Sequence, residues 1–234
     1  PSGDVRKKRI FGSYTLITTP LHILDFEGNT RIGVVEYGLV TVVGKDILEV
    51  TTRLCRGEGP VDPADTRLHG IRNQDLNETD PLEKDWLYFS GCRRTGLLGA
   101  HHALIEDTLL RQVWPYPGPV PNFLNDGEPQ QDWGPWVDTR RLYEYLFPDL
   151  ESYQLMDLIR TFRLQVSLAG LADRYCPEGR RKPHCALYDA LASALLILQI
   201  YELPGYETVD LWWLAYHSAS SHKTREDWSQ GELF

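Results

Sequence analysis

Short apolar runs separated by polar turns dominate the first half of the chain. LHILDF at 21–26 predicts a buried strand, and residues 31–43 and 46–54 are rich in β-branched side chains that partly alternate with polar ones. LLGA at 97–100 predicts a short central strand, which the helical pattern of residues 102–111 follows. The first three runs therefore predict an antiparallel meander, and the fourth predicts a strand–helix unit beside it.

Helical patterns prevail in the second half. The stretch from Trp114 to Pro135 is dense in Pro, Gly, Asn and Asp, which indicates an excursion over the surface. WVD at 136–138 predicts the end of another strand, with Thr139 placed to cap the next helix. Residues 185–200 predict a long, mostly apolar helix that must be largely buried. Strands first and strand–helix alternation later predict a mixed α/β domain with helices on both faces of the sheet.

The bulk composition fits one domain that does not bind nucleic acid by charge alone. The 234 residues are 42% hydrophobic and carry a net charge of −9, which allows a sizeable core but opposes a protein that coats nucleic acid. No apolar run reaches the ~18 residues of a membrane span. PSGDVRKKRI has no apolar segment after its positive charges, so we expect no membrane partner and no signal peptide. The four cysteines lack CxxC spacing and predict reduced thiols in a cytoplasmic protein.

Three acidic side chains stand in apolar surroundings. Asp25 and Glu27 are two apart at the end of a predicted strand, so both side chains point to the same face. Two adjacent buried carboxylates are costly unless a cation neutralises them, although a strand that ends in a polar turn gives the same pattern. Asp189 lies inside the apolar helix, five residues after His184, and a functional role is the better explanation for it.

Several motifs follow one another in a fixed order along the chain. ILDFEG stands at 23–28, and HCALYDA, of the form H-x-A-x-x-D-A, stands at 184–190. The segments between them are VEYG at 35–38, HGI at 69–71 and DT at 138–139. In this order the motifs resemble those of the DnaQ-like, or DEDDh, exonuclease family. The resemblance extends from about residue 20 to about residue 202 and implies a ribonuclease H-like fold.

The middle motif departs from the family pattern H-N-A-x-F-D. When HHALI at 101–105 is aligned with it, Glu106 takes the metal-ligand position. Leu109 and Leu110 then fall on the two apolar positions that follow. A shift by one residue would give that position to Asp107, and neighbouring helix residues point ~100° apart, so both cannot face the metals. We favour Glu106 and keep Asp107 as the alternative.

The resemblance implies two-metal hydrolysis of phosphodiester bonds at a 3′ end. Carboxylate oxygens suit two Mg²⁺ or Mn²⁺ ions. The ligands that the resemblance implies are Asp25, Glu27, Glu106 and Asp189. His184 would be the general base, because imidazole changes its charge near neutral pH, and its position before the helix suggests a mobile loop.

The substrate is less closely defined than the metal ligands. Gly28 and Asn29 replace the Thr-Thr-Gly common in the first motif, where the family holds its terminal nucleotide. His101 is either a substrate contact or a core histidine with satisfied hydrogen bonds. We expect the 3′ end of single-stranded DNA as substrate, in proofreading or repair. An RNA-directed exonuclease and a non-catalytic nucleic-acid tether are the alternatives.

The C-terminal region carries a separate signal. We assign residues 1–205 to the exonuclease domain and residues 206–234 to a C-terminal helix and tail. The terminal QGELF resembles the Q-x-x-L-F peptide by which bacterial replication proteins bind the sliding clamp. Leu233 and Phe234 would enter an apolar pocket, and the Gln230 amide would fix the orientation. A plain frayed end is the alternative.

Overall fold

The computed structural model describes residues 18–124 and 128–219, whose strands form a five-stranded sheet and a separate two-stranded hairpin. The strands are β1 (Leu21–Asn29), β2 (Gly33–Val43), β3 (Asp46–Leu54), β4 (Leu97–Ala100), β5 (Val120–Pro121), β6 (Pro129–Gln130) and β7 (Trp136–Asp138). The helices are α1 (Pro63–His69), α2 (Trp86–Thr95), α3 (Ala103–Val113), α4 (Thr139–Leu146), α5 (Leu155–Thr161), α6 (Gln165–Tyr175), α7 (Ala186–Ile200) and α8 (Leu211–Ser218).

The large sheet has the order β3-β2-β1-β4-β7. β1, β2 and β3 are antiparallel neighbours, so the predicted meander is confirmed. β4 and β7 run parallel to β1 and are reached through helices, as parallel neighbours require. The predicted mixed α/β sheet with helices on both faces is therefore correct.

Apolar side chains of β1 alternate between two cores. Leu21 and Ile23 pack with α7 and the helices around it. Leu24 and Phe26 pack on the opposite face, among aromatic side chains of α2 and the segment after α3. Because successive side chains of a strand point to opposite faces, Asp25 and Glu27 continue the α7 side, at the end of the strand where the apolar packing stops.

α7 is apolar almost all round and largely buried, as the sequence predicts. It approaches β2 most closely at Gly38, where a Cβ atom would lie 2.2 Å from the backbone nitrogen of Leu187. Gly38 is the register partner of Asp25, so this close approach brings the first turn of α7 over the acidic end of β1. No helix among residues 18–124 and 128–219 is long and apolar enough to cross a membrane.

Two local predictions for the second half are wrong. The side chain of Asp138, not that of Thr139, caps α4, and Thr139 is the first helical residue. The segment 114–135 is not confined to the surface, because Trp133 is only 1% exposed and donates from Nε1 to the carbonyl of Trp114 at 3.0 Å. The indole joins the aromatic core beneath α2, which a composition rich in Pro and Gly does not reveal.

All four cysteines are free and buried. Burial raises the pKa of Cys55 and of Cys92 to about 12, and that of Cys185 to about 11. Because the thiolate is the reactive form, these side chains behave as small apolar groups at neutral pH.

Gly38 should be required for the close packing of α7 against β2. We expect Gly38→Ala to lower the free energy of unfolding by about 3 kcal/mol or more, because backbone rather than a movable side chain occupies the space. Gly170→Ala is the matched control: it lies in α6 with nothing within 4 Å of a new Cβ and should raise stability by about 0.5–1 kcal/mol. Urea unfolding of both variants measures this, and equal effects would contradict the close approach.

Candidate metal centre

A bulge shifts the pairing of β1 with β2 just after the two acidic residues. The register shifts between Glu27 and Gly28, and Gly28 has φ +133°. A Cβ atom at Gly28 would lie 2.2 Å from the carbonyl oxygen of Gly33. The backbone at this position therefore requires glycine, and the bulge that it forms lies directly after Glu27, near the end of the central strand.

The side chain of Asn29 is engaged in the turn that follows. Its Oδ1 accepts from the backbone nitrogens of Arg31 at 3.0 Å and Ile32 at 3.2 Å. Its Nδ2 donates to Asp65 of α1 at 3.2 Å. The side-chain atoms of Asn29 therefore fix the β1–β2 turn, and a substrate contact through Gly28 and Asn29 stays a prediction.

The first turn of α7 brings Asp189 and His184 to Glu27. One ligand atom from each of the three side chains lies within 4.8 Å of the other two. Glu27 and Asp189 are buried, whereas His184 is exposed. The backbone nitrogen of His184 donates to Asp189 Oδ2 at 2.9 Å, and His184 has φ +60°, a left-handed conformation uncommon for a non-glycine residue.

α3 turns Glu106 and Asp107 in different directions. Glu106 is 4% exposed, bonds the Phe26 backbone of β1, and leaves Oε2 without a hydrogen-bond partner in the described chain. Both oxygens of Asp107 are engaged elsewhere, with Arg111 Nε at 2.6 Å and Trp136 Nε1 at 2.9 Å. Of the two acidic neighbours, Glu106 is the one that faces the β1 carboxylates.

Burial and mutual repulsion raise the pKa values of the clustered carboxyls. Burial, then Asp189 and Glu36, raises the pKa of Glu27 to about 8. Burial raises the pKa of Asp189 to about 7, although the backbone bond from His184 opposes this. The pKa of Asp25 is raised well above its usual value by burial and then by Asp189, and that of Glu106 by burial and then by Glu27.

A divalent cation fits this donor set. Asp189 Oδ1, like Glu106 Oε2, is buried and has no hydrogen-bond partner among residues 18–124 and 128–219. An unpaired buried carboxylate oxygen is costly, and several together hold a charge that Mg²⁺ or Mn²⁺ would neutralise. A bound divalent cation would favour the charged forms of these carboxyls and so lower the pKa values that burial raises.

His101 lies beside this centre but points into the protein. Its Nδ1 is 2.8 Å from Thr139 Oγ1, and its Nε2 is 3.0 Å from the carbonyl oxygen of Tyr153. Both ring nitrogens are therefore engaged, and burial lowers the pKa of His101 to about 4. These partners agree with the core-histidine alternative, and the substrate contact of His101 stays a prediction.

Two buried carboxylates near the centre had no predicted role. Glu36 lies in β2 directly opposite Glu27, and Asp138 lies at the end of β7. Asp138 accepts from the backbone nitrogens of His102 and Ala103, both at 3.0 Å, and also caps α4. Both stand in segments that the resemblance matched, VEYG at 35–38 and DT at 138–139, and Glu36 is also a charged residue inside an apolar run, but no role was assigned to either side chain.

No family model and no curated protein matches the chain, but solved structures do. One is exonuclease X in complex with 5′ overhanging duplex DNA, with a TM-score of 0.61, 24% identity, and coverage of 85% of this chain and 99% of that one. The chain has the fold of a 3′-exonuclease. A second neighbour is a 3′-exonuclease with specific 3′-end recognition of a histone mRNA stem-loop, with a TM-score of 0.61, 14% identity, and coverage of 85% of this chain and 67% of that one.

A third neighbour bears on the predicted family. It is the nuclease domain of 3′hExo, described as a DEDDh family member and bound to rAMP. It superposes with a TM-score of 0.51 and 17% identity, covering 82% of this chain and 96% of that domain. The ribonuclease H-like fold implied by the sequence motifs is thereby confirmed.

The clustered carboxyls should make the metal-free chain less stable as pH rises. Their folded pKa values exceed the ordinary 4.5 of a glutamate, so the folded chain holds more protons than the unfolded chain up to about pH 8. Buried His22 and His101, with pKa values lowered from 6.5 to about 4, act in the opposite sense only below pH 6.5. Between pH 6.5 and 8 we therefore expect a loss of about 2–4 kcal/mol.

Thermal melts in EDTA at the two pH values test this dependence. Glu27→Gln should flatten the slope because it removes one titrating group, and added Mg²⁺ should raise Tm more at pH 8 than at pH 6.5. A metal-free chain whose stability is constant or rises over this range would contradict the clustering.

Proposed function

We propose that this chain is a divalent-metal-dependent exonuclease that removes nucleotides from DNA 3′ ends in the 3′-to-5′ direction. The observation that carries the proposal is the cluster of Glu27, Asp189 and the exposed His184, with Asp25 of β1 and Glu106 of α3 near enough to interact electrostatically with its carboxylates. They stand in a fold that the chain shares with solved 3′-exonucleases. Fold alone does not define activity, but this donor set on this fold supports phosphodiester hydrolysis.

Four carboxylates would bind metal in the proposed site. Asp25, Glu27, Glu106 and Asp189 would hold two Mg²⁺ or Mn²⁺ ions. When bound, such ions activate water and stabilise the negative charge on the leaving 3′-oxygen. Glu106 rather than Asp107 is the proposed fourth ligand, because the oxygens of Asp107 are already bonded to Arg111 and Trp136.

His184 is the proposed general base. Its side chain is exposed, so a ring nitrogen can meet a water at the substrate phosphate and take its proton. Asp189 binds the backbone nitrogen of His184, and so one residue would both hold metal and locate the base. Proton transfer needs the base within hydrogen-bond reach of the water, which makes its location decisive.

DNA is the favoured substrate and RNA the second candidate. Exonuclease X, the neighbour that shares 24% identity and is covered over 99% of its length, is solved with duplex DNA. The motif order also resembles the proofreading subunit of bacterial DNA polymerase III, which supports a role in replication or repair. RNA remains a candidate because the other two neighbours are described with a histone mRNA stem-loop and with rAMP.

Digestion of matched oligonucleotides tests the proposal. With Mg²⁺ or Mn²⁺, we expect stepwise shortening of a 5′-labelled single-stranded DNA, slower loss of the matched RNA, and no reaction in EDTA. A 3′-phosphorothioate linkage should slow the first step. Faster loss of the RNA would make RNA the favoured substrate and DNA the second candidate. Binding of either oligonucleotide without hydrolysis would support a non-catalytic nucleic-acid tether instead.

Adjacent acidic residues in α3 provide a matched pair of variants. Glu106→Gln should lower kcat by roughly 10²–10³-fold, in the range of losing one charge-stabilising group. Asp107→Asn should lose the Arg111 ion pair, at a cost in stability below about 1 kcal/mol, with kcat retained. The reverse pattern would make Asp107 the ligand.

Binding to a sliding clamp remains a prediction from the sequence. Gln230, Leu233 and Phe234 lie outside the described residues. We expect deletion of residues 230–234 to abolish binding to a bacterial sliding clamp while kcat on short oligonucleotides is unchanged. Surface plasmon resonance on immobilised clamp measures this, and equal binding with and without the tail would refute it.

A further inference from the structure

Glu36 occupies an unfavourable position for a carboxylate. It is 4% exposed and is the direct register partner of Glu27 across β1 and β2. Like charges opposite each other on neighbouring strands repel, and burial removes the water that would screen them. A buried charge at this place therefore needs partners that an apolar residue would not.

The partners of Glu36 lie on both sides of His184. Arg180, four residues before His184, donates from Nε to Glu36 Oε1 at 2.9 Å and from Nη2 to Oε2. The backbone nitrogen of Ala186, two residues after His184, donates to Oε2 at 2.9 Å. One carboxylate thus holds the chain before and after the exposed histidine.

Arg180 is itself anchored a second time. Its Nη1 donates to the carbonyl oxygen of His69, at the end of α1. The guanidinium is a planar fork that bonds the Glu36 carboxylate through two nitrogens, so it fixes orientation as well as charge. The sequence predicted a mobile loop for His184, whereas the structure ties this loop to β2 and to α1.

His184 needs such support for its own backbone. Its φ of +60° is uncommon for a non-glycine residue and persists where the surroundings impose it. The bond from its nitrogen to Asp189 fixes one point, and the two partners of Glu36 fix the flanks. The backbone of His184 is therefore held in place on both sides before any substrate is bound.

We propose that Glu36 and Arg180 are positioning residues that clamp the His184 segment and align it for catalysis. Only the catalytic effect of this clamp rests on the proposed function, and its structural role does not. Its hydrogen bonds join Glu36, Arg180, the carbonyl of His69 and the backbone of Ala186, and none of them uses the unpaired oxygens of Glu106 and Asp189. It acts through the backbone between Arg180 and Ala186.

Arg180→Met tests the clamp, with Arg181→Met as its matched control. Arg181 is in the same segment but pairs with exposed Asp173 at 2.9 Å and with the carbonyl of Cys176. We expect Arg180→Met to lower kcat by about 10–100-fold, the range for misplacing a reacting group by about 1 Å, with KM changed less than about threefold. Arg181→Met should keep kcat within about twofold of the parent.

Hydrogen–deuterium exchange of the metal-free chain gives a readout apart from activity. In Arg180→Met the peptide covering residues 181–186 should exchange at least about tenfold faster, while a peptide from β4 is unchanged. Arg180→Lys keeps the charge but not the fork and should give intermediate exchange and kcat, which separates alignment from loss of folding. Unchanged exchange in Arg180→Met would overturn the clamp.

The His184→Ala background decides whether Arg180 acts through the base. If it does, adding Arg180→Met to His184→Ala should lower kcat by less than about twofold, because the aligned group is already gone. The full loss in both backgrounds would show that Arg180 acts independently and would overturn the positioning role. A parent chain that hydrolyses no oligonucleotide would contradict the proposed function, while the exchange measurement would still decide the clamp.

Discussion

Repulsion among buried carboxylates is the constraint on which the rest of this structure depends. Burial raises the pKa values of Asp25, Glu27, Glu106 and Asp189, and repulsion from neighbouring carboxylates raises each of them further. A chain that only had to fold would avoid such a cluster, because its charged form is costly without a cation. The strands and helices around the cluster hold these carboxylates together despite this electrostatic cost.

Four of the buried carboxylates near the centre fall into two groups according to the hydrogen bonds of their oxygens. Asp138 accepts hydrogen bonds from backbone nitrogens at the starts of α3 and α4. Glu36 accepts from the Arg180 guanidinium and from the backbone nitrogen of Ala186 at the start of α7. Helix N-termini offer unpaired N–H groups and a favourable dipole, so the oxygens of these two carboxylates have partners within the protein. Glu106 and Asp189 each keep one buried oxygen unpaired in the described chain, which is the property of a group reserved for an external cation.

Most of the fold could be predicted from the sequence, because its elements are set by local patterns. The meander, the 97–100 strand and the apolar α7 follow from periodicity alone, and the motif order implied how they assemble. Tertiary contacts decided what failed. Trp133 is buried because it packs against aromatic side chains that are distant from it in the sequence. The hydrogen bond from Asn29 to Asp65, 36 residues away, is likewise a contact that no local pattern reveals.

The acidic pair in α3 shows where sequence reasoning about the site reached its limit. Both residues are carboxylates, one step apart, so residue type could not separate Glu106 from Asp107. Periodicity favoured Glu106 through the apolar face, and the structure adds that Asp107 already has two partners, Arg111 and Trp136. A carboxylate with satisfied oxygens gains little from a metal, whereas one left unpaired beside other carboxylates gains most. A metal-ligand position therefore requires a carboxylate whose negative charge is not already balanced by hydrogen-bond donors or ion pairs. Whether it is balanced becomes visible only when the surrounding residues are in place.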